Sequence, residues 1–148
     1  MSLHAIATVG LRTIQQLALL HDFRFYHDQN GLAVAEKLLS SSLPGAPVVN
    51  AKGHYIGFIS QFDVLSVLEA GRDVSQLTAE EIMVQDHVAI NGSTTVSEAV
   101  KLMKDNHFLV LPVEQDGVVI GCLTRQDLLR VWVDVGLLGQ KASGETDQ

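Results

Sequence analysis

The chain has 148 residues, 47% hydrophobic and 18% charged, a balance typical of one ordinary globular domain or two small ones. Its 17 acidic and 10 basic residues give a formal net charge of -7, which disfavours binding to a nucleic-acid polymer or to an anionic membrane surface. Cys122 is the only cysteine, which excludes an intramolecular disulfide and favours a reducing, cytoplasmic compartment.

The first half of the chain predicts an arm followed by a strand and a helix. Residues 1–21 are expected to form a helical arm, because apolar residues recur there at roughly helical spacing. Residues 22–26 alternate like a short strand, and a turn then leads into a helix over about 32–42. For that helix we expect a buried stripe of Leu32, Ala35, Leu38 and Leu39. Residues 46–59 are typical of a hairpin, and Ser60 is predicted to begin a second helix.

After a polar connection the same pattern starts again. Sliding the sequence against itself by 64 positions aligns Ala35 with Ala99 and Gly57 with Gly121, whereas Pro47 falls on Pro112 at an offset of 65. Such matches indicate a tandem duplication in which each unit is strand, helix, strand, strand, helix. We therefore predict a first repeat over 22–82, a second over 83–135, and a disordered tail over 136–148.

A seven-residue motif of the form Gly-x-x-Ser/Thr-x-x-Asp occurs once in each repeat. It contains Ser60 and Asp63 in the first copy and Thr124 and Asp127 in the second. A hydroxyl residue followed three positions later by an acid is the signature of a capping box at a helix N-terminus. The same groups could instead bind a ligand, so the residues alone leave a structural cap and a ligand site both open.

The duplicated order of elements resembles the tandem CBS domain pair, often called a Bateman module. The residues that carry the resemblance are the segments Gly45–Val49 and Leu109–Val113 and the two motifs, and it extends over about residues 23–133. It implies an α+β fold in which two CBS repeats pack sheet to sheet with pseudo-two-fold symmetry. It also implies a non-catalytic regulatory module that binds AMP, ADP, ATP or S-adenosylmethionine in clefts between the repeats.

The resemblance further implies roles for individual residues. Asp63 and Asp127 would take the ribose hydroxyls, and Ser60 and Thr124 would lie near phosphate. The base pockets would be lined by Gly45, Ala46, Leu109 and Val110. The chemistry agrees, because a carboxylate can accept hydrogen bonds from two vicinal hydroxyls and a helix N-terminus favours an anion.

Arg125 distinguishes the second motif from the first. It could add a full positive charge at that site, where the first copy has neutral Gln61, or it could be a solvated surface residue. On this basis we expect a phosphate-bearing ligand to favour the second copy.

The other polar residues suggest neither a metal site nor a catalytic one. The six histidines show no spacing that places two on one helical face, so we interpret them as surface or turn residues. The sequence contains no nucleophile with a neighbouring base and no P-loop, and we expect no required cofactor. Trp132 is expected to be a core or dimer contact.

We therefore expect a cytoplasmic homodimer that binds its ligand between the repeats and signals to a protein effector in trans by population shift. The alternative is a ligand-free dimerisation or docking module for a transporter or enzyme, in which the motifs serve only as caps. Neither interpretation includes membrane insertion, because no apolar run approaches the roughly 18 residues of a membrane span.

Overall fold

The computed structural model describes residues 8–17, 20–85 and 88–134. The predicted tail and the first seven residues of the predicted arm lie outside the described residues. The regular elements are β1 (Phe25–Tyr26), α1 (Gly31–Ser41), β2 (Gly45–Val49), β3 (Tyr55–Ser60), α2 (Gln61–Glu69), α3 (Ala79–Ile82), β4 (Ile90–Asn91), α4 (Val96–Asn106), β5 (Val110–Gln115), β6 (Val118–Thr124) and α5 (Arg125–Val131). Two short 3-10 turns span Ile14–Gln16 and Val74–Gln76.

The two repeats contribute one three-stranded sheet each, and the sheets have the same topology. The strand orders are β1-β2-β3 and β4-β5-β6. In each sheet the short first strand is parallel to the central strand, which forms an antiparallel hairpin with the third. Both hairpins shift register at equivalent points, after Val48 and after Val113. The predicted duplication and the α+β fold class are confirmed.

Helices α1 and α4 are equivalent at an offset of 65 residues rather than the predicted 64. Their N-caps are Asn30 and Thr95, and their C-caps, Ser42 and His107, are both left-handed. The offset becomes 64 only at the hairpin tip, where residues 50–54 of the first repeat correspond to residues 115–118 of the second. The extra residue therefore lies in the first hairpin turn.

The corrected offset changes which residues of α1 are expected to be buried. The buried residues are Gly31, Val34 and Leu38 in α1 and Val96, Ala99 and Met103 in α4. The expected stripe was therefore wrong in two of its members, since Leu32 is exposed and Leu39 is 84% exposed. Successive residues of an α-helix are about 100° apart around its axis, so an alignment that is wrong by one position predicts the neighbouring face as the buried one.

The segment that precedes each repeat packs on the other repeat. Thr13 forms a β-bridge with Thr95, while Thr78, which follows Thr13 by 65 residues, forms one with Asn30. Ile14 is buried in the core of the second repeat, and Ile82 in that of the first. The arm is consequently not one helix: residues 8–11 are helical, and the chain then extends to pair with the second repeat.

Two hydrophobic cores lie under the helices, and the first of them joins the repeats. Val110 and Cys122 come from the second repeat, yet they belong to the cluster built around Phe25, Val48 and Ile59 of the first. Cys122 is fully buried, as expected for a small hydrophobic side chain. The described residues include no helix long and apolar enough to cross a membrane.

Candidate functional site

Each motif faces a loop of the other repeat, so the molecule has two related clefts. In the Asp63 cleft, a cavity of about 320 Å³, Ser60 and Asp63 share the walls with residues 107–110. In the Asp127 cleft, of about 380 Å³, Thr124 and Asp127 share them with residues 41–44. The two loops are equivalent at the same offset of 65 residues, which is the arrangement that pseudo-two-fold symmetry requires.

Both motifs form complete capping boxes, so the structural interpretation of these residues holds in each repeat. Asp63 Oδ2 accepts hydrogen bonds from Ser60 N at 2.8 Å and Ser60 Oγ at 2.9 Å, and Asp63 N donates to Ser60 Oγ. In the second repeat Asp127 Oδ2 accepts from Thr124 N at 2.7 Å and from Thr124 Oγ1 at 2.8 Å. Each cap uses only one carboxylate oxygen. Capping therefore leaves the other oxygen available and does not exclude ligand binding.

The second oxygen distinguishes the two carboxylates. Among the described residues, none donates to Asp63 Oδ1. Nε2 of His21, by contrast, lies 3.0 Å from Oδ1 and 2.9 Å from Oδ2 of Asp127. In the tautomer protonated at Nε2, the imidazole N–H donates to this carboxylate. The Asp63 carboxylate retains acceptor capacity that the Asp127 carboxylate has already used inside the chain.

Burial increases this difference. Asp127 and Thr124 are both buried in the second repeat, while Ser60 and Asp63 are only half-buried in the first. A ligand hydroxyl can therefore reach the Asp63 side chain more readily.

The walls of the Asp63 cleft are largely apolar and are set by close backbone packing. Gly45 lines it, and a Cβ at this position would lie 2.6 Å from the Phe58 ring and 2.8 Å from the carbonyl oxygen of Ile59. Val110 lines the same cleft, and Leu109 lines both clefts. Glycine is therefore needed at position 45 for the ring of Phe58 to lie against the central strand.

Ala46 has a different position from the other predicted base-pocket residues. It is fully buried within the core of the first repeat, and it lines neither cleft. Side chains alternate along a strand, so Gly45 and Ala46 face opposite sides of β2.

Arg125 lies at the rim of the Asp127 cleft, together with Arg130. Its Nε donates to the carbonyl of Phe108 at 2.9 Å, and the side chain is exposed. Gln61, the equivalent residue of the first repeat, makes a similar contact through Nε2 to the carbonyl of Leu43 at 3.4 Å. Both side chains thus tie a motif to a loop near its cleft.

Two titratable groups near the clefts stay protonated. Tyr55 lines the Asp63 cleft. Its pKa is raised mainly by burial and to a smaller extent by the negative charge of Glu114, so its hydroxyl remains a hydrogen-bond donor at neutral pH. The pKa of the Cys122 thiol is raised to about 12, mainly by burial and to a smaller extent by the negative charge of Asp127. In the described part of the chain, no three His, Cys, Asp or Glu side chains are grouped so as to hold a metal ion.

Several residues at the clefts were not identified from the sequence. His21 was interpreted only as a surface or turn residue, yet it contacts a motif carboxylate. Tyr55, Phe58 and Val84 line the Asp63 cleft. An alignment of the repeats at the correct offset of 65 could have identified residues 42–44 and 107–109 as the loops that face the two motifs. No sequence pattern, however, indicates that the N-terminal arm places His21 against Asp127.

Comparison with known proteins gives the family. The CBS domain family matches residues 25–70 and 79–134, more than half of the chain. An uncharacterised protein from Methanopyrus kandleri is 33% identical over 105 residues, which cover 70% of this chain and 54% of that protein. The chain thus spans only about half the length of this relative.

Solved structures share the fold. CBSX2 in complex with AMP superposes with a TM-score of 0.74 at 21% identity, covering 84% of this chain and 98% of that one. CbpB in complex with c-di-AMP superposes with a TM-score of 0.74 at 20% identity, covering 93% and 97%. The matched segments, together with two equivalent sheets and two clefts, show that this chain belongs to the CBS domain family and consists of a tandem pair of CBS repeats.

Proposed function

We propose that this chain is a non-catalytic regulatory module that binds an adenosine-containing ligand in the Asp63 cleft. The observation that carries the proposal is Oδ1 of Asp63, to which none of the described residues donates, beside an apolar cavity of about 320 Å³. A carboxylate offers about four acceptor positions, and the cap uses two of them on Oδ2. The two positions on Oδ1 match the two vicinal hydroxyls of a ribose.

The apolar walls suit a planar base. The cleft presents Phe58, Val110 and the exposed side chain of Leu109. Stacking and burial of a purine on such a surface is favourable, while a few polar groups fix its orientation. The AMP complex of CBSX2 and the c-di-AMP complex of CbpB support an adenine nucleotide as the ligand class.

Charge favours a ligand with few phosphates. No Lys or Arg is found among the described residues that line the Asp63 cleft, and the whole chain is acidic. The N-terminus of α2 supplies a partial positive charge, which suits one phosphate better than three. We therefore favour AMP or S-adenosylmethionine over ADP or ATP. A phosphate beside Thr124 and Arg125 remains an untested prediction. We favour the Asp63 cleft instead, because His21 already engages Asp127.

The regulatory output would act through a partner. Ligand binding would stabilise one relative orientation of the repeats, and a protein effector in trans would respond to that change. The buried free thiol of Cys122 supports a reducing, cytoplasmic compartment.

A second candidate function, ligand-free dimerisation or docking, is favoured by the apolar surface of the helices. Large exposed hydrophobic side chains on α1, α2 and α5 include Leu32, Leu39, Phe62, Leu65 and Leu129. Exposed patches of this kind mark interaction sites, and we infer that they support a homodimer in either case. The two functions are separated by whether the Asp63 cleft binds a ligand.

Isothermal titration calorimetry with AMP and S-adenosylmethionine tests the proposal, with ADP and ATP as comparisons. Asp63→Asn is the informative variant, because the amide keeps one oxygen for the cap and replaces the outer oxygen by an NH2 group. We expect affinity to fall about 10- to 100-fold, since a hydrogen bond to a charged group contributes about 1.5–3 kcal/mol. The 2′-deoxy form of AMP should lose a similar factor.

Asp73→Asn is the matched control, because Asp73 also accepts hydrogen bonds near a helical N-terminus but lines neither cleft. Absence of heat with all four ligands, or affinity unchanged in Asp63→Asn, would refute ligand sensing at this cleft and favour the docking function.

A further inference from the structure

His21 contacts the carboxylate that a ligand of the Asp127 cleft would need. Its Nε2 lies within 3.0 Å of both oxygens of Asp127. The His21 side chain is 42% exposed and that of Asp127 is 8% exposed, so the imidazole covers an almost buried carboxylate from the solvent side. A ribose bound there would need the same acceptor positions and would have to displace the imidazole.

The backbone holds His21 in this place. His21 N donates to the Cys122 carbonyl at 2.9 Å, and Cys122 N donates to the His21 carbonyl at 2.9 Å. Close approach is possible because residue 121 is glycine: a Cβ there would lie 3.0 Å from the His21 carbonyl oxygen. The imidazole is therefore positioned by a β-bridge to β6 and not by a free loop.

The first repeat has the same backbone arrangement with a different side chain. Val84 pairs with Phe58 through two hydrogen bonds of 2.9 Å, and Phe58 precedes Cys122 by 64 residues. Val84 lines the Asp63 cleft, as His21 lines the Asp127 cleft. Valine has no side-chain donor, so the Asp63 carboxylate is left open where the Asp127 carboxylate is covered.

Given the adenosine-binding function proposed above, we infer that His21 is an internal occupant that closes the Asp127 cleft and limits the chain to one adenosine site. The specificity of the two clefts is thus set by one position in each bridging segment, histidine at 21 and valine at 84. Replacing His21 removes the competing donor, so the Asp127 cleft gains affinity for the ribose by about tenfold or more. Arg125 and Arg130 at the rim of that cleft then favour a phosphate.

A reciprocal exchange tests the inference by calorimetry with AMP. His21→Val should raise the stoichiometry from one to two AMP per chain, and the added site should disappear in His21→Val combined with Asp127→Asn. Val84→His should weaken binding at the Asp63 cleft by about tenfold or more, because it brings an imidazole to the equivalent position. His54→Val is the control, since His54 is exposed and lines neither cleft. A thermal melt of each variant verifies that it is folded.

The outcomes separate this inference from the proposed function. If His21→Val gains no Asp127-dependent site, or if the unmodified protein already binds a second AMP that Asp127→Asn removes, the inference is overturned. If the unmodified protein binds no AMP but His21→Val binds one at Asp127, the inference holds and the function proposed for the Asp63 cleft fails.

Discussion

Replacing Asp127 by alanine should destabilise the protein much more than the same replacement at Asp63. Both residues close capping boxes, and loss of a cap costs about 0.5–2 kcal/mol. At Asp127 the loss also leaves Thr124 N and Oγ1 without their acceptor in a buried place. A buried polar group left unsatisfied costs about 1–3 kcal/mol. We therefore expect a loss of about 2–4 kcal/mol for Asp127→Ala.

At Asp63 the corresponding groups can be hydrated, because Ser60 and Asp63 are only half-buried. We expect Asp63→Ala to cost about 1 kcal/mol, within the range for a helix cap. Urea unfolding followed by circular dichroism gives both free energies of unfolding, and Asp127→Asn provides a control that keeps an acceptor for Thr124. Equal losses at the two positions, or a larger loss at Asp63, would refute the assignment of Asp127 to a structural role and Asp63 to an open site.

Two further predictions concern the thiol and the apolar surface. Burial raises the pKa of Cys122 from 9.0 to about 12. We therefore expect the native protein to react with a disulfide reagent at pH 8 far more slowly than the urea-unfolded chain. Fast reaction of the native protein would contradict this prediction. The folded-state pKa is the higher one, so this group stabilises the fold below about pH 9 and its contribution is lost as the pH rises toward about 12. The Phe62 side chain on α2 is 77% exposed, so we expect Phe62→Glu to convert a homodimer to a monomer in sedimentation velocity. Lys52→Glu, in the hairpin turn, is the control and should leave the homodimer intact. An unchanged sedimentation coefficient for Phe62→Glu would show that α2 is not part of the interface.

The duplication could be predicted from the sequence because each repeat carries its own local signals. A hydroxyl residue and an acid three positions apart fix the start of α2 and of α5, and glycine and proline mark the strands and turns. These signals depend on neighbouring residues only, so they can be read along a single chain. The cap geometry of Ser60, Asp63, Thr124 and Asp127 follows from them.

The burial of α1 could not be predicted in the same way. Leu32, Val34, Leu38 and Leu39 are all apolar, and two different faces satisfy helical spacing. Which face is buried depends on the sheet beneath the helix. Comparison of the repeats did not indicate that face, because the extra residue in the first hairpin turn displaces the alignment of the helices by one position.

By itself the sequence determined the fold class, the two motifs and the position of each carboxylate at a helix N-terminus, because capping, turn formation and strand pairing in a hairpin are local. Only the tertiary structure decided that the two motifs are not equivalent. His21 and Asp127 are 106 residues apart in the chain, and their contact exists because the arm crosses to pair with β6 of the second repeat. The corresponding segment before the second repeat places Val84 at the Asp63 cleft, where none of the described residues donates to the second oxygen of the carboxylate.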